Sequence, residues 1–299
     1  ELVDIDLQED LGELDASMAA IAMKQIMEED RNDYLHGAMG IVHYFTTRSK
    51  EPQIRSYLEK LVEAFCDKAV ITENGCWFRN FIVDPREKER IDTGLSHGNA
   101  GFLLILLNVL EAGILEKKVK EVITKGIHFL ISLRMKPDPD NEQHAFFPFS
   151  VHSSNLSDIY FSQRLAWCYG DLNIILVLYR ASSLLQEPAW KELADELAEK
   201  IVTRKDEGAT LAADSHFCHG AAGLVQFYKT LYTLTGNELF STATDYWVQR
   251  TVELLEVECR ENWYSGKECD LLNGLPGINL ALLSYITKKE LTWSRSLLL

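Results

Sequence analysis

The sequence predicts an all-α chain folded as a double-layered α/α toroid, and three observations carry that expectation. Helical periodicity runs through most of the 299 residues, while convincing alternating strand patterns are scarce. The helical segments are of two kinds, apolar almost all round or amphipathic, and they alternate. A glycine-bearing motif recurs before the apolar ones, at intervals long enough for two helices and their connections.

Taken in order, the motifs are YLHGAMG (Tyr34 to Gly40), GLSHGNAG (Gly94 to Gly101), WCYGDLN (Trp167 to Asn173), CHGAAG (Cys218 to Gly223) and LLNGLPG (Leu271 to Gly277). Their first glycines are Gly37, Gly98, Gly170, Gly220 and Gly274. Such a glycine permits a tight turn into a helix, often at positive φ, and the small residue three positions on lets that helix approach its neighbour. Glu51 to Val70 is amphipathic. Ala100 to Leu115 is apolar nearly all round, as for a helix buried on most sides. Arg134 to Leu165 holds three prolines and little helical pattern, and reads as a long loop over a cavity mouth or as a surface excursion. Trp190 to Arg204 is again amphipathic. Stacked hairpins with buried helices inside favour ring closure over an open solenoid, with the motif loops converging on a central cavity.

Composition narrows the function. The chain is 46% hydrophobic and 25% charged, an ordinary globular balance. A formal charge of −15 argues against a nucleic-acid partner or an anionic membrane surface. The longest apolar runs are too short to span a bilayer, so no integral membrane protein is expected. Six cysteines, not clustered as a disulfide framework, point to a reducing, cytoplasmic compartment.

Two of those cysteines stand out. Cys168 and Cys218 each lie two residues before an equivalent motif glycine, so their side chains are expected to point into the same cavity, with His219 beside the second. Thiolate and imidazole are zinc ligands, and three protein ligands leave one position open. The plain alternative for either cysteine is a small buried hydrophobe. Cys66, Cys76, Cys259 and Cys269 read as packing residues. His36, His43, His128, His144, His152 and His216 follow no pattern that separates them from ordinary histidines.

The ordered set GLSHGNAG, WCYGDLN, CHGAAG and LLNGLPG resembles the lanthionine synthetase C family, the LanC-like cyclases of lanthipeptide biosynthesis, from about Asp33 onward. The resemblance implies one toroid domain over 1–299 with zinc (Zn2+) at its centre. It implies Michael addition of a peptide cysteine thiol to dehydroalanine or dehydrobutyrine, closing a thioether ring. Position by position, it implies Cys168, Cys218 and His219 as zinc ligands and His97 as the motif histidine beside the metal. It implies Asp33 as the catalytic aspartate and Arg164 and Tyr169 as polar groups near the metal. The expected substrate is a dehydrated precursor peptide. The expected partners are a separate dehydratase and a peptide transporter.

Two departures qualify the likeness. Asn173 stands where the motif has its second glycine, and a local backbone change is expected there. The first motif begins some thirty residues in, so an N-terminal portion of the ring lies outside this sequence or is absent. Asp270 occupies the same place before Gly274 as Asp33 does before Gly37, which leaves the aspartate open on position alone. Two other readings share the site: a transferase adding glutathione or another small thiol to dehydroamino acids, and a non-catalytic, zinc-stabilised peptide-binding module.

Overall fold

The computed structural model describes residues 7–81, 89–288 and 291–299. The chain divides into two compact units, one of residues 1–92 and 97–132, the other of residues 93–96 and 133–299.

In the first unit, α1 (Leu7–Lys24) runs into a π turn (Gln25–Glu29) and packs on α2 (Ala38–Thr47) and α3 (Pro52–Asp67). A short antiparallel hairpin follows, β1 (Val70–Thr72) with β2 (Gly75–Trp77), and then β3 (Arg90–Asp92). Next come α4 (Asn99–Glu111) and α5 (Glu116–Ser132). The apolar sequence of α4 is matched by its burial, continuous from Asn99 to Leu107. By contrast α3 buries only one stripe, Ile54, Leu58, Leu61, Val62, Phe65 and Cys66, at helical spacing. Phe65, Phe78 and Phe102 close the core, with Phe65 and Phe78 stacked at a 4.0 Å centroid distance. At Gly75, φ is +129°, and an added Cβ would stand 2.0 Å from the Lys125 carbonyl, so the hairpin sits directly on α5.

The second unit carries β4 (Ser150–His152) and β5 (Asn155–Tyr160), then α6 (Asp171–Leu185), α7 (Pro188–Ile201) and the single turn α8 (Glu207–Thr210). It ends with α9 (Ala221–Thr235), α10 (Glu238–Arg260) and α11 (Leu275–Thr287). Helix α6 packs on α7 and α9, and α9 on α10 and α11. Both α6 and α9 are buried over their first two turns, as their apolar sequences predict. Helix α7 buries Trp190, Ala194, Leu197, Ala198 and Ile201, one face of an otherwise charged helix. The segment read as a long loop, residues 134–165, contains a 3-10 turn at Pro139–Asn141 and the antiparallel β4–β5 hairpin. Those strands are too short and, in β5, too exposed to show an alternating pattern.

The motif glycines serve space more than dihedral freedom. Positive φ occurs at Gly170 (+117°), whereas Gly37, Gly98, Gly220 and Gly274 lie between −110° and −147°. What the turns share is contact: the chain folds back so tightly that a Cβ at Gly37, Gly170 or Gly274 would fall within 2.3 Å of a backbone carbonyl. Gly223 is as tight, with a Cβ only 2.0 Å from the Phe217 carbonyl. Gly223→Ala is therefore expected to cost about 1–3 kcal/mol through overpacking. Gly12→Ala, on the exposed face of α1 with open space around it, is expected to be neutral or to stabilise by up to about 1 kcal/mol. Urea midpoints of the two variants check the contrast.

Candidate active site

In the second unit the motif loops are tied edge to edge by backbone hydrogen bonds. The N–H groups of Leu95 and Ser96 donate to the Cys168 carbonyl at 3.0 and 3.2 Å. The Cys168 N–H donates to the Cys218 carbonyl at 3.3 Å, and the Cys218 N–H to the Leu272 carbonyl at 2.9 Å. Ser96, Cys168, Cys218 and Leu272 each stand two residues before their motif glycine. The ladder thus aligns equivalent positions, and two of them carry thiols.

The two thiols meet. Hydrogen bonding to the Cys218 side chain, with burial, pushes the Cys168 thiol well above its ordinary pKa, against the opposing charge of Arg164. Cys218 in turn hydrogen-bonds His219, which raises the imidazole; burial opposes this and the Asp214 carboxylate adds to it. The His219 Nε2 lies 3.5 Å from Asp214 Oδ2, and Asp214 Oδ1 accepts the His216 N–H at 3.0 Å. Two thiols in contact, with an imidazole against the second, are a donor set that fits a zinc ion. Arg164 contributes charge to this cluster, and Tyr169 stacks on Phe149 at 3.8 Å. Trp167, fully buried, donates from Nε1 to the Leu297 carbonyl at 2.9 Å and leans on Phe217, a packing role.

Asn173 shows what replaces the missing glycine. Elsewhere the second motif glycine abuts the carbonyl six residues back: Tyr34 for Gly40, Phe217 for Gly223, Leu271 for Gly277. At Asn173 the corresponding carbonyl, of Trp167, accepts a hydrogen bond from Nδ2 at 3.0 Å, and Oδ1 accepts the Leu95 N–H at 3.1 Å. The side chain is wholly buried, so it clamps two motif loops.

The first unit holds Asp33 and His97. Asp33 Oδ1 accepts the N–H groups of Leu35 and His36 at 2.9 and 2.8 Å, closing the turn before Gly37. Its Oδ2 takes His97 Nδ1 at 2.7 Å and Asn80 Nδ2 at 3.1 Å. Asn80 also donates to the His97 carbonyl at 2.8 Å, so one amide orients both members of the pair. Asp270 makes the same turn, accepting Leu272 and Asn273 N–H groups, but it is exposed. Burial pushes the Asp33 carboxyl up, yet the bond and charge of His97, with Asn80 and the His36 N–H, outweigh it and hold its pKa below the ordinary value.

A model of the family described as lanthionine synthetase C-like protein matches residues 6–298. The chain belongs to this family. Among solved structures it is similar to "Nisin cyclase", with a TM-score of 0.76 at 18% identity over 99% of this chain and 75% of that one. A second likeness, to "Crystal structure of D-mannose isomerase", has a TM-score of 0.49 at 10% identity over 76% of this chain and 56% of that one. No curated protein matches the chain. The nisin cyclase match shows the fold, a LanC-like helical toroid of the lanthipeptide cyclase type, as the sequence predicts.

Several residues of these two clusters, one in each unit, carry no sequence signal. Asn80, 47 residues from Asp33, is brought in by tertiary folding alone. Asp214 and His36 gain their roles as neighbours of His219 and Asp33. Among the described residues, the groups of three whose donor atoms all gather within 4.8 Å are Asp33–His36–His97 and Asp214–His216–His219, whereas Cys168, Cys218 and His219 are linked only pairwise, through Cys218. None of the six cysteines, all among the described residues, is in a disulfide. Cys66 and Cys76 are buried, and burial raises their thiols to about 12 and about 11. Cys259 and Cys269 are exposed, which corrects their reading as packing residues. Among the described residues, no helix is long and apolar enough to cross a membrane.

Two outcomes follow. Asn173→Ala removes the buried amide donor to the Trp167 carbonyl, while the Leu95 N–H keeps the Cys168 carbonyl, and is expected to cost about 1–3 kcal/mol in a denaturant titration. Asp33 has a lowered folded pKa, so its contribution is present above its unfolded value, 3.8, and lost as acid protonates it. The stability gap between wild type and Asp33→Asn should be widest above that pH and close below it, in urea midpoints measured across pH.

Proposed function

We propose that this chain is a zinc-dependent lanthipeptide cyclase, closing (methyl)lanthionine rings by adding a peptide cysteine thiol to dehydroalanine or dehydrobutyrine. The observation that carries the reading is the thiol–thiol–imidazole cluster of Cys168, Cys218 and His219. The ladder of motif loops aligns the two thiols, and the hydrogen bond to Cys218, with burial, holds the Cys168 thiol above its ordinary pKa. Family membership and the cyclase-type fold support it.

A zinc ion held by Cys168, Cys218 and His219 would turn a neutral substrate thiol into a thiolate nucleophile at ordinary pH. The remaining roles belong to the chain. The Asp214 carboxylate, 3.5 Å from His219 Nε2, is assigned to orient the His219 imidazole from behind. Attack on the substrate β-carbon sends the alkene electron pair onto the carbonyl oxygen, giving an enolate. Arg164 supplies positive charge to the thiol cluster and is assigned to that oxygen, with Tyr169 as a hydrogen-bond donor. Protonation at the α-carbon completes the addition. His97 is assigned as the acid, because the Asp33 carboxylate holds its Nδ1 and fixes the ring.

The acidic chain, at −15, would attract a basic core peptide, a contribution that should weaken as salt rises. The dehydrated precursor would come from a separate dehydratase, and its product would pass to a peptide transporter.

Purified protein is expected to hold about one tight zinc per chain, lost in Cys218→Ala. Asp214→Asn should keep the ligands but weaken zinc about 10–100-fold in a chelator competition. His97→Asn should retain this zinc and slow ring closure about 10²–10⁴-fold with a dehydrated peptide. Full cyclisation by zinc-free protein would sink the reading. Turnover with glutathione but never with a peptide cysteine would replace it with the thiol transferase, and peptide binding without turnover with the binding module.

A further inference from the structure

The Asp33 carboxylate serves two imidazoles. His97 Nδ1 lies 2.7 Å from one of its oxygens and His36 Nδ1 lies 3.1 Å from the other. The rings are nearly parallel, 14° apart at a centroid distance of 5.7 Å, and both turn the same nitrogen to the same carboxylate. The proton-donor role assigned above needs only His97. It leaves His36 unexplained.

We propose that Asp33, His36 and His97 form a second divalent-cation site that takes zinc when the ion is in excess. One carboxylate and two imidazoles, with a position left for water, are a familiar zinc donor set. The three donor atoms already lie within 4.8 Å of one another. Zinc bonds of about 2.0–2.1 Å in a tetrahedron need donors roughly 3.3 Å apart. The adjustment falls on His36, whose side chain is 60% exposed and has room to turn.

The rest of the site is held in place. Asp33 is fixed by the N–H groups of Leu35 and His36, and Asn80 joins its second oxygen to the His97 carbonyl. The carboxylate is 1% exposed and His97 22%, so the anionic ligand is shielded while the imidazoles give an ion its way in. Binding replaces two imidazole–carboxylate hydrogen bonds by coordination, each ring binding through Nδ1 as the tautomer that carries its proton on Nε2. The site contains no thiol, so it is harder than the Cys168–Cys218–His219 set and fills after it. If the cyclase reading holds, an ion here occupies the nitrogen and carboxylate that orient His97, and excess zinc inhibits.

Cobalt(II) titration of metal-free protein separates the sites, because a thiolate-bound cobalt shows a sulfur-to-metal charge-transfer band and a nitrogen–oxygen site does not. Wild type is expected to bind two equivalents, the first with that band and the second without it. His36→Gln should weaken the second at least about tenfold and leave the first. Cys218→Ala should lose the first and keep the second. His36→Gln should also raise the zinc concentration that halves each enzyme's own uninhibited rate. A single equivalent in wild type that Cys218→Ala abolishes would overturn the second site and leave the cyclase centre standing. Two equivalents that both survive His36→Gln would equally overturn it. One equivalent lost in His36→Gln and kept in Cys218→Ala would support this site and sink the thiolate centre instead. Circular dichroism of each variant confirms that loss of metal is not loss of fold.

Discussion

The hydrogen-bond ladder through Cys168 and Cys218 is the constraint on which the thiol cluster depends. Each of these residues uses both backbone groups between loops: Cys168 accepts from Leu95 and Ser96 and donates to Cys218, and Cys218 donates onward to Leu272. Buried backbone groups must be paired, and here other motif loops pair them. Register is therefore set by the main chain, and side-chain identity at each station is free to carry chemistry. Serine, cysteine, cysteine and leucine occupy equivalent places, and the two cysteines meet because the peptide groups beneath them do.

Buried polar networks hold the loops from behind. Asp171, the first residue of α6, accepts the N–H groups of Phe146 and Phe147 and pairs with Arg204 Nη1 at 2.6 Å. Arg204 continues to the carbonyls of Ala209 and Gln163. Burial raises the Asp171 pKa even against Arg204 and those N–H groups, a sign of how costly the dry site is for charge. The network still has geometric value, since it pins both flanks of the loop that carries Cys168. Glu258 does the same for the other cysteine loop. It accepts the Ser215 N–H at 2.9 Å and the hydroxyls of Ser215 and Tyr264, and so ties α10 to the residues ahead of Cys218.

How much of this was legible in the sequence depends on whether the cause is local. The alternation of apolar and amphipathic helices is written in periodicity, and the burial of α4, α6, α7 and α9 follows it. The pairing of Cys168 with Cys218 was legible because a repeat converts position into geometry. Which of Asp33 and Asp270 meets a histidine of another motif was not. Both make the same turn, and what separates them is Asn80 and His97, 47 and 64 residues from Asp33. Asn173 was visible as a departure, but its function as a clamp required the Leu95 N–H, 78 residues away. The hairpins escaped for a different reason: strands of three residues hold too few side chains to alternate.

The two clusters are built by opposite means, and this bears on how they divide their chemistry. The thiol pair is assembled by backbone register between loops, and its donors are soft. The Asp33 group is assembled by side chains around one turn, and its donors are a carboxylate and imidazoles. Soft thiolates favour zinc strongly over the harder cations, whereas a carboxylate with imidazoles is less selective. A carboxylate that orients an imidazole acid is, by the same geometry, part of a chelate, and a second imidazole on its free oxygen strengthens that tendency. On the proposed cyclase reading, His97 would stay available for protons as long as the thiol pair takes the ion first, and the ladder that aligns the thiols would protect the acid as well.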